Sequence, residues 1–218
     1  IDTYKNMGIY SDAMNNYLAR LGWSHGDNEY FSLTQAISWF DGRSIGKSPA
    51  RFDMHKLISV NAYWLKKQSA ENLYKQILSH HHQKPNKTIS SAFEARFNKL
   101  YPHLTERASI INELSSQIDY LIYDGAPEIE SDVKALITDD SCTILKSFSD
   151  IVDKTPLDAD AFQSFMNSWL AEKGLKMKDL GIPLRIVLTG NKSAPALFDL
   201  IYSLGFDEVK YRIYQICN

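Results

Sequence analysis

The 218 residues carry 24 Lys and Arg against 26 Asp and Glu, a formal net charge of −2, with 44% hydrophobic and 23% charged residues. That composition supports a packed core and excludes intrinsic disorder; no run approaches eighteen apolar residues, which excludes a membrane-spanning helix. The near-neutral balance speaks against a generic polyanion binder.

Apolar side chains recur at helical spacing along most of the chain. Met14, Tyr17, Leu18 and Leu21 stand at i, i+3, i+4 and i+7 behind Ser11, a candidate N-cap, and Gly22 closes the pattern. Further helices are predicted over 34–40, 53–66, 70–78 and 91–101. Ile110, Ile111, Leu114, Ile118 and Leu121 form the next stripe, followed by helices over 131–137 and 141–152. Phe162, Phe165, Met166 and Trp169 repeat the spacing in a segment closed by Gly174. Helices over 195–204, with Pro195 in the first turn, and over 207–216 complete the pattern. Breaks fall at Gly26-Asp27-Asn28, Asp41-Gly42-Arg43, Asp124-Gly125-Ala126-Pro127 and Lys154-Thr155-Pro156, and 80–87 reads as an exposed polar loop. Alternating runs bounded by hairpin turns are absent, so the predicted fold class is all-α.

Candidate chemistry is sparse. Ile1-Asp2-Thr3-Tyr4-Lys5 lacks the basic start and apolar run of a signal peptide and lacks an initiator Met, so a piece of a longer protein is expected. Cys142 and Cys217 lie far apart and read as reduced core thiols of a cytoplasmic protein, with no zinc-binding spacing. His80, His81 and His82 are consecutive, which prevents convergence on one ion, so no metal site is expected. Gly46-Lys47-Ser48 imitates the end of a phosphate loop, but Gly42 and Gly46 stand one residue too close, so that reading is rejected. Asp139-Asp140 and the acidic residues between Glu128 and Asp132 read as helix N-terminal charges rather than catalytic carboxylates. Charge is unevenly spread: residues 1–100 carry 13 basic against 8 acidic side chains, 101–165 carry 4 against 13, and 166–218 carry 7 against 5. An RNA surface would therefore lie on the first and last segments.

Three ordered blocks carry a family resemblance. They are Asn16-Tyr17-Leu18-Ala19-Arg20-Leu21-Gly22-Trp23-Ser24-His25-Gly26-Asp27; Ser48-Pro49-Ala50-Arg51-Phe52-Asp53 with Lys56-Leu57 and Asn61; and Pro183-Leu184-Arg185-Ile186-Val187-Leu188-Thr189-Gly190 followed by Pro195-Ala196-Leu197-Phe198. Together they resemble the C-terminal part of bacterial-type glutamyl-tRNA synthetases, class I enzymes that join glutamate to tRNA-Glu with ATP and Mg²⁺. The resemblance implies a stem-contact domain over 1–68, anticodon-binding subdomains over 69–125 and 126–218, tRNA-Glu (or tRNA-Gln) as partner, and a monomer in the cytoplasm. That family's H-[IV]-G-H and K-[ML]-S-K motifs do not occur in the chain, so it is expected to lack the active site, to be inactive alone and to hold no cofactor.

By the same resemblance Arg107, in Leu104-Thr105-Glu106-Arg107, matches the arginine that discriminates the third anticodon base. Arg185 matches an arginine of the anticodon pocket, and Leu197 an apolar residue packing there. A guanidinium suits such work because it both stacks and forks onto two acceptors; beside Glu106, Arg107 also reads as a surface ion pair. Lys47, Arg51, Lys56, Lys66 and Lys67 are the candidate phosphate contacts. Trp23, Trp39, Trp64 and Trp169 read as core residues rather than stacking platforms. Ser59, Asn167 and Ala194 depart from the family pattern. The other reading is a freestanding helical module that binds RNA or protein, to be decided by the coding sequence upstream of Ile1.

Overall fold

In a computed structural model of the chain, residues 2–46, 50–81 and 88–218 are described. Helices and their connections account for all of them; the sole extended pairing among described residues is an antiparallel bridge between Trp23 and Ile45. The chain gathers into two compact units, residues 1–83 with 102–116 and residues 84–101 with 117–218.

The first unit contains α1 (Asp2–Asn6), α2 (Ser11–Gly22), α3 (Leu33–Trp39), α4 (Met54–Lys66) and α5 (Ala70–His81). Its core forms where α2 lies along α4, bringing Ala13 and Tyr17 against Leu57 and Val60, with Ile9 beside them. Two buried amides organise the loops around that core. The Asn16 side chain donates to the Glu29 carbonyl (3.1 Å) and accepts from the Trp64 indole (3.2 Å) and the Phe31 amide (3.4 Å). Asn61 accepts from the Tyr10 amide (2.8 Å) and donates to the carbonyls of Ser109 (2.7 Å) and Gly8 (3.3 Å). The Tyr17 hydroxyl accepts the Asp53 amide at 2.5 Å, and the Asp53 carboxylate caps α4 by accepting from the amides of His55 and Lys56.

Helices α6 (Phe93–Leu104) and α7 (Ile111–Gln117) each cross the boundary between the units. The second unit continues with α8 (Asp119–Ile122), α9 (Ser131–Lys134), α10 (Asp139–Ser149) and a 3-10 turn at Val152–Lys154. It ends with α11 (Ala159–Glu172), α12 (Met177–Thr189), α13 (Leu197–Leu204) and α14 (Phe206–Cys217). Here α10, α12 and α14 pack on one another, burying Leu145, Phe148, Leu184, Val187, Val209 and Ile213.

The all-α expectation holds, with local corrections. Ser11 is the first residue of α2 rather than its cap; Tyr10 holds the cap position in an extended conformation and its side chain makes no cap bond. Pro195 precedes α13, which starts at Leu197 after Ala196. The predicted stripe over 110–121 is two short helices, because Ile118 leaves helical geometry between them (φ −111°, ψ 15°). Asp139 and Asp140 do occupy the first turn of α10, behind a capping box made by Thr138 and Ser141. Periodicity alone missed α12, since Gly181 and Pro183 both argue against a helix that tertiary burial nevertheless stabilises. The polar-loop reading of 80–87 lies outside the described residues beyond His81, where α5 ends. Cys142 and Cys217 are joined in a disulfide, not separate thiols. Their 75-residue separation hid the fact that α10 and α14 pack together, which brings the two Cα atoms to 5.3 Å.

Gly190 ends α12 in the left-handed region (φ 79°), its amide bonded to the Ile186 carbonyl at 2.8 Å. A Cβ there would lie 2.5 Å from the Glu128 carbonyl oxygen. Gly190→Ala is therefore expected to destabilise the protein by about 1–3 kcal/mol, from conformational strain and backbone overlap, measurable as a lower urea midpoint.

Candidate nucleic-acid interface

In the first unit the basic residues follow α4 and its approach. Arg51 is exposed just before the helix, Lys56 is exposed in its first turn, and Lys66 and Lys67 are exposed at its C-terminal end. Eleven residues separate Lys56 from Lys67, close to three helical turns, so both rise from the same face about 16 Å apart along the axis. Lys56 forms an ion pair with Glu29, whose carboxyl the hydrogen bond holds below its ordinary range, while Glu29 raises the ammonium above its own. Arg51, Lys66 and Lys67 have no carboxylate partner among the described residues. Lys47 lies outside the described residues.

Aromatic rings accompany this stripe. Lys67 sits over the Tyr63 ring (5.4 Å), and Tyr30 stacks on Tyr63 with centroids 4.1 Å apart and planes at 9°. This arrangement of Tyr30 and Tyr63 was not foreseen from sequence; the i, i+4 spacing of Tyr63 and Lys67 on a helix was its one visible signal. The tryptophans divide. Trp23 and Trp169 are core residues, Trp64 is tied to Asn16, and Trp39 lies half-buried with His25 stacked on it at 4.6 Å.

Arg107 lies in the turn that follows α6, in the first unit, with its side chain exposed. No ion pair joins it to Glu106, contrary to the surface-pair reading. Arg185 and Leu197 belong to the second unit.

Arg185 is the most informative side chain of that unit. It projects half-buried from α12, a helix whose neighbouring positions Leu184, Ile186, Val187 and Leu188 are all buried. Its Nη1 donates to the Gly181 carbonyl one turn back, at 3.2 Å. Gly181 leaves space for this fold-back: a Cβ there would stand 3.2 Å from Arg185 Nη1, 3.7 Å from a Leu197 methyl and 4.0 Å from the Met177 sulfur. Arg185 and buried Leu197 thus both stand beside Gly181, a residue that the sequence reading did not single out. The other arginines of the unit are committed, Arg96 to Asp124 and Arg212 to Glu208. Arg185 faces no carboxylate among the described residues and uses one N–H of five, leaving the rest of the fork for a ligand's acceptors. Ala194 is half-buried on the approach to α13, whereas Asn167 is exposed and accepts from Gln163 (3.0 Å); Ser59 is exposed on α4.

Among the described residues no group of His, Cys, Asp and Glu could hold a metal ion, and no helix is long and apolar enough to cross a membrane.

Comparison with known proteins adds the following. Residues 64–217 match the family described as anticodon binding domain. The chain is 32% identical over 214 residues to the glutamate–tRNA ligase of Pelagibacter ubique, covering 98% of this chain and 46% of that protein. It is 34% identical over 210 residues to glutamate–tRNA ligase 1 of Campylobacter hominis, covering 96% of this chain and 44% of that protein. Among solved structures, a glutamate tRNA ligase from Elizabethkingia meningosepticum in complex with its amino acid superposes with a TM-score of 0.81 at 23% identity over 98% of this chain and 42% of that one. The glutamate-tRNA synthetase of Elizabethkingia anophelis gives 0.75 at 24% identity over the same shares, a likeness of fold. The chain spans a little under half the length of the two relatives named here.

Proposed function

The chain belongs to the anticodon-binding-domain family of the glutamate–tRNA ligases, and on that premise we propose that it grips tRNA for a ligase that attaches glutamate to tRNA-Glu. Residues 1–68 contact the stem through phosphates, and the regions 69–125 and 126–218 read the anticodon. Activation of glutamate, with its ATP and Mg²⁺, belongs to the part of the ligase that this chain does not span. The same reading places the protein in the cytoplasm as a monomer.

The observation that supports this most is the uncommitted fork of Arg185, beside Leu197 and over Gly181. A buried carbonyl partner fixes the guanidinium plane while most of its donors stay free, the state that a base edge needs in order to be read. Filter binding of tRNA-Glu and tRNA-Gln transcripts tests it. Arg185→Gln is expected to weaken tRNA-Glu binding by about 1–3 kcal/mol while changes at the bases that it reads cease to matter; undiminished affinity and base preference would rule out the role.

Arg107→Gln is expected to relax the preference at the third anticodon base by a similar amount, about 1–3 kcal/mol. Substituting Lys66 and Lys67 should instead weaken binding to every transcript evenly and flatten its dependence on salt, because phosphate contacts act by releasing counterions.

A further inference from the structure

Helix α3 is anomalous for a seven-residue helix. A complete capping box starts it, with the Ser32 hydroxyl accepting the Gln35 amide and the Gln35 side chain accepting the Ser32 amide, yet no residue of α3 is buried. Its face at i, i+4 and i+7 is apolar and open: Leu33 is 53% exposed, Ile37 71% and Phe40 55%. The Phe40 ring meets Trp23 at 5.8 Å, and the bridge from Trp23 to Ile45 extends the surface to a further apolar side chain, 52% exposed. So short a helix has little stability of its own in water, and exposed apolar side chains gathered in this way on a folded surface mark an interaction site.

We propose that this belt is the docking surface for the remaining portion of the ligase, the part of its relatives' length that this chain does not span. The inference rests on the reading of the chain as part of a glutamate–tRNA ligase. Two observations select this occupant. Residues 21–45 carry a single basic residue, Arg43, against three acidic ones, so the surface is poor in the cations that RNA phosphates require. The relatives carry more than half their length beyond the matched region, 54% in one by difference from the 46% that is covered, a partner of ample size supplied in the same polypeptide. The basic stripe on α4 stays free for RNA, and the apolar belt of α3 and Ile45 takes protein.

Hydrogen exchange over residues 33–45 tests this, measured in the 218-residue chain alone at low and high concentration, in that chain with tRNA-Glu, and in the full-length ligase polypeptide. Exchange is expected to slow by about tenfold or more in the full-length polypeptide alone, and Ile37→Asp should abolish that slowing without altering the thermal midpoint of the 218-residue chain or its affinity for tRNA. Equal exchange in all samples would overturn the proposal. So would slowing that grows with concentration, which would indicate a second copy, or slowing caused by tRNA. The affinity of the 218-residue chain for tRNA scores the functional reading separately, since a chain that binds no tRNA fails there whatever α3 does.

Discussion

Replacing Arg212 with Met is expected to lower stability by about 3–5 kcal/mol and to shift the urea midpoint of helix loss accordingly. The side chain is fully buried, and four of its N–H groups are committed. Nε donates to Glu208 (2.7 Å), Nη1 to the Leu188 carbonyl (2.6 Å), and Nη2 to the carbonyls of Tyr120 (2.8 Å) and Tyr123 (3.0 Å). Leu188 lies in the last turn of α12, and Tyr120 and Tyr123 lie within and just beyond α8, so a single guanidinium satisfies carbonyls that those helix ends leave without partners. Burial lowers the Arg212 pKa and Glu208 opposes that shift. Methionine would fill much of the volume but leave three carbonyls and the Glu208 carboxylate poorly paired; the Gly125 amide at 2.8 Å and Arg96 at 3.7 Å would still hold the carboxylate in part. Arg212→Lys should recover only a fraction, because an ammonium cannot span the fork. A Met variant as stable as the parent would show that the network is decorative.

Asn61→Ala is expected to cost about 2–4 kcal/mol, although the side chain is small and buries little apolar surface. Truncation removes three hydrogen bonds and strands the Tyr10 amide and the Ser109 carbonyl, and an unmade bond at a buried site costs more than a made one contributes. Asn61→Asp separates hydrogen bonding from volume. It keeps the acceptor for Tyr10 but turns a donor into an acceptor facing the carbonyls of Gly8 and Ser109, so it should destabilise at least as much as alanine does. Fluorescence of Trp64, tied to Asn16 in the same unit, reports the loss as an earlier transition. If Asn61→Asp proved neutral, the amide would not be acting as the donor in this arrangement.

Both residues bear on what could be read beforehand. Asn61 contributed to the family resemblance without any visible reason, and the structure supplies one: an amide presents a donor and an acceptor together, and this site needs both. Arg212 drew no notice at all. On the helical repeat it is one more basic residue four positions from a glutamate, the pattern of a surface pair; only the arrival of α8 and the end of α12 around it makes it a buried cap. Arg185 shows the reverse. Resemblance marked it out, yet the helix that presents it was missed, since Gly181 and Pro183 outweigh apolar periodicity in a local reading.

Local chemistry by itself determined that this protein is helical, where most of its helices run and where its turns fall, because spacing at 3.6 residues and glycines at Gly26, Gly42 and Gly125 act over a few residues. It also carried the family likeness, through short blocks of contiguous residues. Only the tertiary structure decided which arginine stays open and which are committed, that Cys142 meets Cys217, and that α3 displays an apolar face that no described residue of its own unit covers. The physical reason is range. Helix formation is settled by near neighbours along the chain, whereas burial and pairing depend on segments that sequence places 24 to 92 residues apart and folding brings within 3 Å.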